Sequence, residues 1–179
     1  WNVSSLARPY LAHLVDETGG SAMLSTYENG HIVALDQAEG RDSLRVVSAP
    51  GARLPLHCTS QGKIVLACMS ESEAATLLAR MPLTPYTPHT ETDANALLAS
   101  LPACREAGFA VENGEYKIGL RSISAPVYTA ERTVRYTVGV IGMFRSTRSD
   151  EFLAAVEQVC ATASMISTAL GYRKTEELL

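Results

Sequence analysis

The side chains with the widest chemical range in this chain are four histidines, His13, His31, His57 and His89, and four cysteines, Cys58, Cys68, Cys104 and Cys160. The histidines occur singly, none at metal-ligand spacing on one helix. The cysteines are far apart without a CxxC pair, which argues against both a zinc site and a redox dithiol. They read as reduced, packed thiols. Cys58 near a helix start could be an activated nucleophile with His89 as its base, but no local motif supports that chemistry. The stretch "CTSQGK" offers something different. A helix beginning there leaves the backbone N–H groups of Ser60, Gln61 and Gly62 without intrahelical partners, at the positive end of its dipole, where a carboxylate can be held. A phosphate loop is excluded, because no glycine stands five residues before Gly62 and Ile64 replaces the magnesium-binding hydroxyl. Glu112 has no visible acid partner for general-base work and reads as a pocket-rim or a surface carboxylate.

The run "ENGEYKIGLRSISAPV", residues 112–127, presents two faces by strand alternation. Arg121, Ile123, Ala125 and Val127 form one, mainly aliphatic; Leu120, Ser122, Ser124 and Pro126 form the other. The segment "TVRYTVGVIGMF" reads as its hairpin partner, with Val134, Tyr136, Val138 and Val140 on a bulky face and Thr137, Gly139 and Ile141 opposite. If Ser122, Ser124, Thr137 and Gly139 share one face, that face lacks volume at its centre. A close-packed protein fills such space either with a closely approaching helix or with a small ligand.

The elements that must position these residues follow from periodicity and caps. Residues 2–18 predict an amphipathic helix stopped by Gly19-Gly20. Asn29-Gly30 between two strand-like runs predicts a hairpin, and a third short strand is expected near Leu44 to Val47. Thr59 or Ser60 caps a helix running to about Met69, and Ser70 to Arg80 forms the next, with Glu71 and Glu73 in its first turn. Pro82, Pro85 and Pro88 force an extended connection. A helix capped by Thr92 or Asp93 ends at Gly108, a short strand covers Phe109 to Glu112, and a long helix from about Phe152 ends at Gly171. Hairpins of one sheet separated by helices make an α+β domain with a mainly antiparallel sheet.

A chain of 179 residues, 46% hydrophobic, fits one compact domain spanning 1–179. Fifteen basic against nineteen acidic side chains give a net charge of −4, which argues against this segment gripping DNA itself. Uncharged apolar runs fall short of a membrane span and the first residues lack a basic-then-apolar leader, so a cytoplasmic location is expected.

Four ordered stretches, "LPLHCTSQGKIVLA", "PLTPYTPHTETD", "EAGFAVENGEYKIGLRSISAPV" and "FLAAVEQVCATASMISTALGY", together resemble the effector-binding domain of the IclR family of bacterial transcription regulators over nearly the whole chain. The resemblance implies a GAF-like domain whose sheet carries N- and C-terminal helices on one face and a small-molecule pocket on the other. It implies a winged helix-turn-helix domain that precedes this segment in the family and is absent here, so that DNA is contacted only through that domain. It further implies that Ser60 and Gln61 hold the effector's anionic group by their backbone, that Glu112 faces the ligand, and that Leu120, Ser122, Gly139 and Ile141 line the sheet wall. Val46 and Leu54 would supply apolar walls. Gly139 and Ile141 depart from the polar residues some members carry, and Ser60-Gln61 from the smaller pair common there. The expected function is sensing of a small organic acid by a homodimer or homotetramer, with no cofactor, no metal, no catalytic residue and no membrane partner. Two rival classes are an enzyme built on the same pocket and a ligand-free dimerisation module.

Overall fold

The computed structural model describes residues 2–41 and 50–174. Helix α1, Val3–Thr18, is capped by the Asn2 side chain and closed by Gly19 in the left-handed conformation (φ 75°). Strands β1, Ser21–Glu28, and β2, His31–Ala38, form the hairpin, with both turn residues at positive φ, Asn29 at 47° and Gly30 at 81°. Strand β3, Arg53–Leu54, leads into α2, Ser60–Cys68, and α3, Glu71–Arg80. Then come α4, Ala94–Ala107, and strands β4, Ala110–Asn113, β5, Arg121–Tyr128, and β6, Val134–Gly142. Helix α5, Asp150–Ala169, completes the described order.

The six strands form one antiparallel sheet in the order β3-β2-β1-β6-β5-β4. The α+β, GAF-like architecture thus stands as the sequence implied. The strand expected near Leu44 to Val47 lies outside the described residues. Strand β3 falls instead in a segment that its prolines and glycine mark as loop, because two residues paired to Val33 and Ile32 are too short to produce an alternation pattern.

Alternation along each strand divides the molecule into two cores. Ala22, Leu24, Ile123, Ala125, Val127, Val138 and Val140 pack against α1 and α5 through Leu11, Leu14, Phe152, Val159 and Ile166. On the opposite face Met23, Ile32, Ala34 and Leu54 pack against α2, α3 and α4. Helix α5 has the length and composition to cross a membrane, contrary to the short apolar runs expected, since Glu157 is its one charge after Glu151. Its buried stripe, Phe152, Ala155, Val159, Ala163 and Ile166, nonetheless belongs to the core behind the sheet.

Helix α2 is seated by a glycine. A Cβ on Gly62 would lie 1.9 Å from the Leu56 carbonyl oxygen and 2.6 Å from its Cα. The Thr59 hydroxyl accepts from the Gly62 N–H at 3.0 Å and donates to the Pro55 carbonyl at 2.7 Å, tying the cap to the incoming strand. The Gly62→Ala variant is therefore expected to lose about 3 kcal/mol by overpacking against backbone that has little freedom to move. That corresponds to a melting temperature lower by roughly 6 to 12 °C for a domain this size. An unchanged melting curve would show that the contact is not fixed.

Candidate functional site

Paired strand residues lie on the same face, so the register assembles the site row by row. One row runs Ser21, Ile141, Ser122, Glu112 across β1, β6, β5 and β4; the next runs Met23, Gly139, Ser124, Ala110; a third runs Ser25, Thr137, Pro126. The small and polar residues singled out in the sequence do share a face, and α2 packs on it. Ser60, the first residue of α2, meets this face directly, its Oγ 2.8 Å from Ser124 Oγ. Gln61 donates from Nε2 to Met23 Sδ at 3.4 Å. Ser25 and Thr137 bond to each other at 2.5 Å.

The volume missing at the centre is taken by the close approach of neighbours. A Cβ on Gly139 would stand 2.2 Å from Ser124 Oγ and 2.5 Å from the Ile123 carbonyl oxygen. Of the two ways of filling that face, a closely approaching neighbour or a small ligand, the neighbour is present at position 139, where Ser124, held by Ser60, stands. Ser124, read from alternation as part of the polar face, was not among the residues assigned to the ligand, yet it is the one that meets Ser60. Its two-residue offset from Ser122 was the available signal.

Glu112 is buried, only 2% exposed, and both carboxylate oxygens accept hydrogen bonds. Ser122 Oγ donates to Oε1 at 2.9 Å and the Glu115 N–H donates to Oε2 at 2.7 Å. Burial nevertheless raises its pKa above the ordinary carboxylate value, against the pull of those two donors. Glu115 in turn pairs with Lys63 of α2, an ion pair largely withdrawn from solvent. The carbonyl oxygens of Gly114 and Glu115 accept from Thr87 Oγ1, at 2.6 Å for Gly114, and Glu115 also accepts from Thr90 Oγ1. The proline-rich connection thus pins the turn that holds Glu112. Neither Lys63 nor Glu115 was singled out from sequence, since nothing local shows that residues 52 apart in sequence meet.

Cys58 stands fully buried just before α2. Burial pushes its thiol up to about 12, with Glu112 and Glu115 adding to the effect and Lys63 opposing it. Desolvation and the two nearby carboxylates thus favour the thiol form, in line with the reading of Cys58 as a packed, reduced side chain. All four cysteines are free. Among the described residues no group of three His, Cys, Asp or Glu side chains could hold a metal ion.

The structure brings together Ser60, Gln61, Glu112, Ser122 and Gly139, all on or against one sheet face, with Ile141 paired to Ser122 and Leu120 buried just before β5. Leu54, paired to Ile32 on β2, lies in the same core layer but further along the sheet. Val46 lies outside the described residues. Because the folded-state pKa of Glu112 is raised, its contribution to stability is complete below the unfolded value and is lost as pH rises through the folded one. Glu112→Gln removes that loss. The melting temperature of the variant relative to the unmodified chain is expected to improve steadily as pH rises from about 4.5 toward neutrality. A difference independent of pH would show that Glu112 is not the group responsible.

Comparison with known proteins agrees with this architecture. The family model described as the bacterial transcriptional regulator IclR C-terminal domain matches residues 1–168. The transcriptional repressor AllR of Escherichia coli K12 is 30% identical over 172 residues, covering 96% of this chain and 64% of the repressor. The chain thus spans less than two thirds of the length of that relative. Among solved structures, IclR of Thermotoga maritima superposes with a TM-score of 0.89 at 28% identity, over 96% of this chain and 70% of the other. The C-terminal domain of the E. coli regulator KdgR gives 0.83 at 26% identity, covering 95% of this chain and 99% of that one. With its fold and nearly its whole length matched, this chain belongs to the IclR family of bacterial transcriptional regulators and comprises that family's C-terminal, effector-binding region.

Proposed function

We propose that this chain binds a small organic acid on the polar face under α2, and that binding biases how a winged helix-turn-helix domain, carried elsewhere in the whole protein, engages DNA. The observation that supports this most is the convergence of two features of different origin. The first turn of α2 places Ser60 and Gln61, with the positive end of the helix dipole, against the one sheet face built from serines, threonine and glycine. Ser122 and Glu112 lie one row away on that face.

A carboxylate at the start of α2 would accept from the Ser60 and Gln61 backbone N–H groups and from Ser60 Oγ, displacing the bond to Ser124. A hydroxyl or amine on the same ligand would donate to Glu112. Leu120 and Ile141, with Leu54 and Val46, would form apolar walls, and Gly139 would let the sheet backbone approach. The ligand shifts the equilibrium between DNA-binding states by its difference in affinity for them, which requires no bond making, no cofactor and no catalytic residue. In this reading the whole protein is a cytoplasmic homodimer or homotetramer, since a symmetric operator is read by paired heads. The 1–179 segment is its single sensing domain.

A panel of small carboxylic acids screened by thermal shift tests the reading. At least one acid should raise the melting temperature, by the equivalent of about 2.7 kcal/mol at a hundred times its dissociation constant. Ser60→Ala and Ser122→Ala should each weaken that acid by roughly tenfold while the fold persists. A flat response across the panel would favour a ligand-free assembly module, and chemical turnover of a bound acid would favour an enzyme.

A further inference from the structure

Two thiols that no local motif pairs are brought together where the C-terminal end of α2 meets α4. Cys68 is the last residue of α2, and Cys104 continues the buried stripe of α4 at Leu97 and Leu101, in the core layer that the two helices share. Arg105, the next residue along, donates from Nε to the Ala67 carbonyl and from a terminal nitrogen to the Met69 carbonyl, each at 2.5 Å. These are the carbonyls on either side of Cys68. The CxxC spacing that ordinarily marks a dithiol is absent, and tertiary packing takes its place.

This pair differs from the other two cysteines in its surroundings. Cys68 and Cys104 are both half-buried, and Cys68 lines a cavity of about 500 Å³ together with Arg105, Tyr128 and Glu73. Burial raises the pKa of Cys68; Arg105 opposes the rise, and Cys104 is near enough to add to it. Burial likewise raises Cys104, opposed by Lys63. Cys160 is raised by burial alone, with no cation or thiol acting on it among the described residues, and Cys58 is fully buried. A dithiol needs access and a second thiol in reach, and of the four free cysteines this pair has both.

We propose that Cys68 and Cys104 are a reversible redox pair that forms a disulfide by exchange with a low-molecular-weight disulfide of the glutathione type. The Cys68 thiolate, reached through the cavity and flanked by Arg105, attacks one sulfur of that disulfide; its S–S bond breaks, one small thiol leaves, and a mixed disulfide remains on Cys68. The Cys104 thiolate then attacks the Cys68 sulfur, the second small thiol leaves, and the protein bond closes. The two protein thiols give up two electrons and two protons in all, and the small disulfide takes them up as two thiols. Oxidation fastens the end of α2 to α4 at the opposite end of the helix from Ser60, and its test does not require any ligand under α2.

The folded chain is equilibrated for hours with oxidised and reduced glutathione at mildly alkaline pH, then alkylated with N-ethylmaleimide in denaturant and mapped by peptide mass. The expected product has lost two hydrogens, links the Cys68 and Cys104 peptides, carries alkylated Cys58 and Cys160, and reverts with dithiothreitol. Closing the bond brings the two Cα atoms within about 7 Å, so it forms only between side chains that already face one another. Cys104→Ala should stop at the mixed disulfide on Cys68, while Cys68→Ala should give roughly tenfold less adduct, since Cys104 does not line the cavity. Arg105→Gln releases the end of α2 and should lower the ratio of disulfide to dithiol about tenfold at the same glutathione ratio, as the effective concentration of one thiol at the other falls. Circular dichroism checks that each variant is folded. The proposal is overturned if the folded chain forms no Cys68–Cys104 link, if the link appears only in urea, or if Cys58 or Cys160 is linked in equal yield. An Arg105→Gln variant that matches the unmodified chain, or adduct trapped on Cys104 rather than Cys68, overturns it equally.

Discussion

The rest of the site depends on how closely the first turn of α2 can approach what lies on either side of it. A helical glycine is about 1 kcal/mol worse than alanine by propensity, so Gly62 opposes the helix it belongs to. The opposition is resolved by contact: the Leu56 carbonyl sits where a Cβ would be, and Thr59 links cap, helix and strand through two hydrogen bonds. On the other side Ser124 reaches Ser60 across the space above Gly139. Two glycines, one on the helix and one on the sheet, bring backbone to backbone, and this places the helix dipole against the polar rows. A larger residue at either point would lift the dipole away from Ser122 and Glu112.

Charge then has to be accommodated in the space so enclosed. Burying Glu112 and Glu115 is costly unless they are paired, and both are: Glu112 by a hydroxyl and a backbone N–H, Glu115 by Lys63. The threonines of the proline-rich connection bond the carbonyls of the same turn. Three prolines cannot supply ladder hydrogen bonds, so a segment unable to join the sheet is used to fasten the loop beside it. Burial, with the same carboxylates, favours the thiol form of Cys58.

Much of this was legible in the sequence, and the reason is periodicity. Caps and glycines marked the ends of α1, α3 and α4, Asn29-Gly30 marked the hairpin, and two-residue alternation separated the aliphatic from the polar face of β5 and β6 before their register was known. Strand β3 was not legible, since two residues carry no period. The Lys63–Glu115 pair and the Ser60–Ser124 bond were not legible either, because they join residues 52 and 64 positions apart and depend on tertiary placement alone. What fills the space at Gly139 was left open. A small residue on a strand is compatible both with a ligand and with a neighbour, and only the position of Ser124 distinguishes them.

The two faces of the sheet differ in how they could respond to a bound molecule. Behind it, Ile123, Val138, Val140 and Phe152 are buried against α1 and α5, and each such side chain contributes about 1.5–3 kcal/mol that would be forfeited by separation. In front, the contacts between α2 and the sheet rows include hydroxyl–hydroxyl and amide–sulfur hydrogen bonds, the former worth only about 1 kcal/mol net and readily exchanged for others of equal strength. Because β5 and β6 carry both faces, whatever moves α2 acts on strands whose reverse side is fixed to the terminal helices. The two faces thus differ in what separating their contacts would cost, and the alternation along β5 and β6 assigns their side chains to one or the other.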